Sequence, residues 1–215
     1  MTTLKQIEIG FLEKTKDFIM KIEYDFGFNR HIRFRHPSSS FYWFDIITWD
    51  GSLVINGEYG TWVFSRLPDM FCFFRIDPGD FNYNREGMSI NPDYWAEKLK
   101  ACDRGSSSAT EFSHKLFEQN IKKEFDEYEF ETEDLAVDCW KEIEEEVLCY
   151  SDNQHEAMTA ANNFSHKSGF NLENFWEVDS HDFRIEYIWC LYAIVWGIQQ
   201  YDEFKSAEKE IFRGY

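Results

Sequence analysis

The residues best equipped by type to do chemistry in this chain are its carboxylates. Between Lys122 and Asp134 the sequence reads KKEFDEYEFETED, and residues 118–146 together hold thirteen Asp or Glu against three Lys, a net of −10. Carboxylates at that density either solvate the outer face of helices, which is the ordinary reading of a charge run, or present a field that receives something cationic. On the second reading the partner-binding residues are Glu124, Asp126, Glu127, Glu129, Glu131, Glu133, Asp134, Glu142, Glu144, Glu145 and Glu146. If mostly helical, the segment would span about 43 Å, or about 3.3 Å per acid. That is close to the ~3.4 Å per phosphate of one DNA strand, although the acids wind around the axis and a break is expected near Thr132.

Other constellations are weaker. On a strand, RHIRFRHP places His31, Arg33 and Arg35 on one face and Phe34 with His36 on the other, because side chains alternate. Such a cationic face could hold an anion or pair with carboxylates of this acidic chain, and internal pairing is the expectation. Asp45 and Glu58 could converge as a metal or acid/base pair, but a hydrogen-bonded structural aspartate is the simpler account of an acid inside WFDIITW. Ser38, Ser39 and Ser40 lack a nucleophile elbow. Glycine-rich phosphate loops are absent from the sequence. His155-Glu156 lacks the second histidine of a zinc hydrolase motif, since Thr159 stands in its place. The expectation is therefore no catalytic centre, no cofactor and no metal.

The field also limits partners. With 22 Lys and Arg against 40 Asp and Glu the formal charge is −18, which repels nucleic acid and anionic lipid. Direct nucleic-acid binding and membrane binding are disfavoured. Residues 1–40 run against the trend, with seven bases and five acids. The five cysteines are odd in number and scattered without a Cys-x-x-Cys pair, as in a reducing cytoplasm. The N-terminus has no secretory leader pattern. The most apolar stretch, Ile185–Ile198, is 14 residues long and contains Glu186, too short to span a bilayer. It reads as a buried core helix, with homodimer burial of one side as a variant.

Composition supports a folded chain, 43% hydrophobic and 19% aromatic. Strands are expected at Phe18–Tyr24, His31–His36, Phe41–Trp49, Leu53–Asn56 and Thr61–Arg66, with a type I′ hairpin at Asp50-Gly51. Helical signals follow from Pro68. LPDMFCFFR has proline near a first turn, and NPDYWAEKLKAC has Asn91 as N-cap with Pro92 behind it. Loops are expected at 77–89 and 104–110. Ser108 with Glu111 reads as a capping box for a helix over Glu111–Tyr128, and further helices are expected over Asp134–Tyr150, Asn153–Asn163 and Phe183–Phe204, with a short turn near Leu172–Trp176. The tetrapeptide FSHK occurs at Phe112–Lys115 and Phe164–Lys167, too short to define a repeat. The predicted architecture is α+β in a single domain, 1–215: an N-terminal antiparallel meander over 1–66, with helices from 67–215 packed on it.

The segments FYWFDIITWDGSLVINGEYGTWVFSRLPDMFCFFR, INPDYWAEKLKACDR and YIWCLYAIVWGIQQYD together resemble a group of bacteriophage and prophage accessory proteins of uncharacterised activity. The likeness is one of overall texture, so it transfers no site residue. It implies a context, because small, acidic phage accessory proteins include anti-CRISPR and anti-restriction inhibitors that imitate the charge of DNA. The resulting expectation is a protein-binding protein in the bacterial host cytoplasm, directed at a cationic, nucleic-acid-binding host protein. A small phosphodiesterase or nuclease using scattered carboxylates with His31 or His36 is the alternative, and an acidic assembly protein is a third.

Overall fold

In the computed structural model, which describes residues 3–75, 88–103 and 108–213, the chain opens with a helix that apolar alternation did not foretell. α1 (Leu4–Thr15) begins at a capping box: Thr3 Oγ1 accepts from the Gln6 backbone N–H at 3.2 Å, and Gln6 Oε1 accepts from the Thr3 N–H at 2.8 Å. Two orphan donors of the first turn are thus satisfied reciprocally. Phe11 is the helix's fully buried residue.

The expected meander follows. β1 (Ile19–Phe26), β2 (Asn29–Arg35), β3 (Trp43–Trp49), β4 (Ser52–Gly57) and β5 (Gly60–Ser65) pair antiparallel in chain order. The hairpin turns at Asp50-Gly51 as expected, with Trp49 opposite Ser52. Its type differs, because only Gly51 of the two central residues has positive φ, at 76°, whereas a type I′ turn needs both. On one face Ile32, Phe34, Phe44, Ile46, Leu53, Ile55, Trp62 and Phe64 are buried. Each such side chain contributes about 1.5–3 kcal/mol by leaving water.

α2 (Met70–Phe74) is capped by Asp69, and α3 (Pro92–Ala96) by Asn91 with Pro92 in its first turn. The helix expected over NPDYWAEKLKAC does not extend to Cys102. Instead Leu99–Cys102 forms β6, which adds to the edge of β5 with Val63 opposite Ala101. The open edge of a sheet offers a row of unpaired amides, and satisfying it outweighs local helical preference. Most of the expected loops at 77–89 and 104–110 lie outside the described residues.

Where a single domain was expected, the described residues gather into two compact units. One comprises residues up to Ala109 together with those from Phe183 onward, and the other is Thr110–Asp182. β7 (Thr110–Phe112) and β8 (His181–Phe183) form a two-stranded ribbon. The second unit holds α4 (His114–Glu127), α5 (Glu133–Glu146) and α6 (Gln154–Asn163), with short 3-10 turns at Leu148–Tyr150 and Phe175–Glu177. The cap of α4 is Ser113, which accepts from Leu116 N–H at 3.2 Å. Ser108 does not serve, because Thr110–Phe112 is committed to the ribbon. The second core is built on Phe117, Ile121, Cys139, Ile143, Val147, Ala157, Ala161 and Phe170.

α7 (Ile185–Arg213) closes the first unit. Tyr187 through Val195 are all buried, as is Ile198. Tyr187 Oη donates to Pro92 O at 2.9 Å and Tyr192 Oη to Leu4 O at 3.2 Å, so the polar tips of the core tyrosines find partners. Burial pushes Tyr192 up to about 12. Among the described residues no helix is long and apolar enough to cross a membrane.

One polar knot ties this unit. The Arg30 guanidinium, 8% exposed, bonds both Asp69 oxygens at 2.8 and 3.1 Å and lies 4.5 Å over the Phe71 ring. Burial pushes the Asp69 carboxyl up, but the Arg30 hydrogen bond and charge, with the Phe71 N–H, hold it below its ordinary 3.8. A depressed carboxylate stabilises the fold fully above its unfolded value and progressively less as pH falls through the folded one. Acid denaturation should therefore steepen below about pH 3.8, and Asp69→Asn should flatten that limb, as read by circular dichroism across pH 2–5.

A matched pair of glycines tests the packing. A Cβ on Gly57 would come 2.7 Å from Trp43 O and 2.8 Å from Phe44 Cβ, while one on Gly10 meets nothing within 4 Å. Gly57→Ala is expected to cost roughly 1–3 kcal/mol by forcing β3 and β4 apart. Gly10→Ala, at a half-buried position of α1 with open space for the methyl, should gain about 0.5–1 kcal/mol. Urea denaturation of the two variants reads both signs.

Candidate functional site

The acidic segment is built from two helices and the joint between them. α4 buries Phe117 and Ile121, and α5 buries Cys139 and Ile143. Residues four apart share a face, so the opposite faces are left to solvent. The break expected at Thr132 is present: α4 ends at Glu127, and Thr132 caps α5 by accepting from Leu135 N–H at 3.3 Å. The acids therefore do not line a single rod. The comparison with the phosphate spacing of one DNA strand, which needs one axis, does not carry over.

Of the eleven acids named from sequence, ten are exposed and Glu142 is half-buried. Some have an ordinary structural account. Glu133 and Asp134 sit in the first turn of α5, where the helix dipole favours them. Asp126 bonds to Lys122 and pairs i,i+4, as Glu127 does with Lys123 and Glu145 with Lys141. Glu144 accepts from Trp140 Nε1 at 2.7 Å. Among the described residues, Glu124, Glu129, Glu131 and Glu146 make no ion pair, and neither α4 nor α5 has a base in its last turn. Asp126, Glu127 and Glu144–Glu146 thus stand at helix C-termini, where the dipole opposes negative charge.

Two clefts open beside these acids. One, of about 490 Å³, is lined by Glu146, Tyr150, His155, Glu156, Thr159 and Phe164 among others. The second, of about 260 Å³, is lined by Glu124, Glu173, Glu177 and residues between Asn171 and Val178. His155-Glu156, which lacks the second histidine of a zinc hydrolase motif, lines the first.

The second unit also brings together three residues that no motif in the chain groups. Asp138 and Glu142 share a face of α5, and His166 comes from the turn after α6; one ligand-capable atom from each lies within 4.8 Å of the other two. Lys167 Nζ donates to Asp138 Oδ2, and His166 Nε2 lies 3.5 Å from that oxygen. The neighbouring Lys167 ammonium and then the His166 imidazole hold the Asp138 carboxyl below the usual range. The only sequence signal was the FSHK tetrapeptide at 164–167, whose histidine is buried here.

In the basic patch of the first unit, Arg33 and His31 are internally paired, as expected. Arg33 grips both oxygens of Asp45 at 2.8 and 2.7 Å, and His31 Nε2 stands 3.2 Å from Asp45 Oδ2. Asp45 is buried and held across β2–β3, while Glu58 is exposed in the β4–β5 turn. Asp45 is a bound counter-ion here, with both oxygens engaged.

Comparison with protein-family models, with curated proteins and with solved structures finds no match for this chain.

If Asp45 serves the sheet, Asp45→Ala leaves Arg33 and His31 without their shared acceptor. It should lower stability by roughly 1–3 kcal/mol, measured by chemical denaturation, with the acid surface of the second unit unaffected.

Proposed function

We propose that this protein works by binding another protein, presenting the acids of α4, α5 and their joint to a surface rich in lysine and arginine that otherwise receives nucleic acid. The observation that carries the reading is that Glu124, Glu129, Glu131 and Glu146 are exposed without an ion pair among the described residues, while neither α4 nor α5 has a base in its last turn to offset the acids there. Helix stability alone would select the opposite charge there. An arrangement that works against local electrostatics is supported if a cationic partner completes it.

The clefts give the surface anchoring points. Glu146 and Glu156 beside the rings of Tyr150 and Phe164 offer a carboxylate for a cationic head and apolar walls for its stem, the combination that suits arginine. The chain's formal charge of −18 would accelerate encounter with such a partner and repel nucleic acid itself. In the context implied by the resemblance to phage accessory proteins, the partner would be a host nucleic-acid-binding defence complex, occupied in place of its DNA or RNA.

Binding of this kind is fast, weakened by salt and competitive with nucleic acid. The test immobilises the full chain and titrates an arginine-rich nucleic-acid-binding domain, with duplex DNA as competitor. Replacing Asp126, Glu127, Glu129 and Glu131 together by Ser should reduce affinity at least about tenfold, chiefly through slower association, with an unchanged circular dichroism spectrum. A folded quadruple variant that binds as the parent does would return these acids to the role of a solvated helix face.

A further inference from the structure

We propose that Asp138, Glu142 and His166 form a binding site for a single divalent transition-metal ion of the zinc class, stapling α5 to the turn that follows α6. The two carboxylates are four residues apart on one helix, which sets them on one face a turn apart. His166 is delivered by a turn whose backbone is fixed: His166 N donates to Phe170 O at 2.8 Å, Gly169 N to His166 O at 2.9 Å, and Tyr128 Oη to Ser168 O at 2.8 Å. Gly169 takes φ 90°, a conformation that glycine adopts without strain.

The histidine supplies the observation that points to a ligand. Its side chain is 0% exposed, yet Nε2, which faces the carboxylates, has no hydrogen-bond partner. A buried polar atom without a partner is costly, and a metal ion would satisfy it. The spacing is close to what coordination needs. Bonds of about 2.0–2.2 Å at tetrahedral angles set ligand atoms roughly 3.4 Å apart, and His166 Nε2 is already 3.5 Å from Asp138 Oδ2. Glu142, within 4.8 Å of both, closes the third edge by side-chain rotation alone.

Ser168 supports the ring from behind, its Oγ 2.7 Å from His166 Nδ1. A metal-bound imidazole keeps its proton on the other nitrogen and donates it to a neighbour of this kind. The Ser168 backbone N–H, 3.2 Å from the same Nδ1, gives up its contact when that proton arrives. Lys167 defines the competition. Its ammonium is the cation now bonded to Asp138, and the side chain is 64% exposed, so it swings into solvent when a dication takes its place. One imidazole nitrogen with two carboxylates suits zinc, cobalt, nickel or manganese; calcium and magnesium prefer oxygen throughout. Three protein ligands leave a further position for water or for a side chain of a partner.

The test titrates the full chain, freed of metal by chelation, with Zn²⁺ and separately with Mg²⁺, in competition with a chromophoric chelator. One equivalent of Zn²⁺ should bind, with Mg²⁺ at least about tenfold weaker. Asp138→Asn and His166→Gln should each weaken Zn²⁺ binding more than about tenfold. Lys167→Gln, an exposed change that removes the competing cation, should tighten it several-fold, a result that a merely structural role for these residues would not give. Co²⁺ spectra should show one histidine-dependent environment, lost in His166→Gln. Failure to bind Zn²⁺, or binding insensitive to both His166→Gln and Lys167→Gln, would overturn the proposal; the latter result would mean diffuse attraction of ions to the acid surface.

Discussion

The sheet unit depends on one constraint: a helix with no polar face must be enclosed by protein. From Tyr187 to Val195 every residue of α7 is buried, and no water-facing side exists on which such a segment could rest. The β-meander supplies one wall, with Phe34 and Phe44 against Trp196 and Trp189. α1 supplies another, with Phe11 in edge contact with Trp189. Where the enclosure meets hydrogen-bonding groups it provides for them through backbone carbonyls at Pro92 and Leu4. Arg30 and Asp69 bring charge to the margin of this core, and Tyr201 with Asp25 extends the knot, since Tyr201 Oη donates to Asp25 at 3.1 Å. A core of this kind needs both ends of the chain, so the residues of the second unit are accommodated as an insertion between them.

What sequence reasoning could see followed from the range of the forces involved. The five successive strands were legible because side-chain alternation and an Asp-Gly turn are local, and the core helix because its composition admits nothing else. α1 was missed although Thr3-x-x-Gln6 carries a capping box, since the signal lies in two polar residues outside the apolar pattern. β6 was misread because Leu99–Cys102 answers to the edge of β5, formed almost forty residues earlier, and such tertiary demands override local propensity. Ser108 and Ser113 offer the same hydroxyl, and only the pairing of the strand between them decides which one caps.

The acid surface was legible as composition and illegible as arrangement. Counting carboxylates located the segment, and Thr132 marked its break. Which acids are compensated depends on i,i+4 lysines and on where each helix stops, and it is the helix stops that leave Glu144–Glu146 against the dipole. The Asp138, Glu142 and His166 cluster was beyond reach, because its histidine lies in a different segment and its neighbour Lys167 looks, in sequence, like any surface lysine. Asp45 shows the converse: an acid in an apolar strand draws attention, and its partners Arg33 and His31 are on the adjoining strand, where alternation had already grouped them.

The order of assembly follows from the position of α7. A ribosome delivers the meander first and the helix that covers it only after the whole insertion has emerged. Until Ile198 leaves the exit tunnel, the apolar face of the sheet has no lid, and Phe34, Phe44 and Trp62 face water or whatever else will cover them. The second unit, whose contacts are drawn from one continuous stretch, is complete as soon as its own residues are out. Synthesis thus delivers the acidic module before the sheet is covered, and the emergence of α7, rather than the appearance of any one strand, is the event that commits the first core.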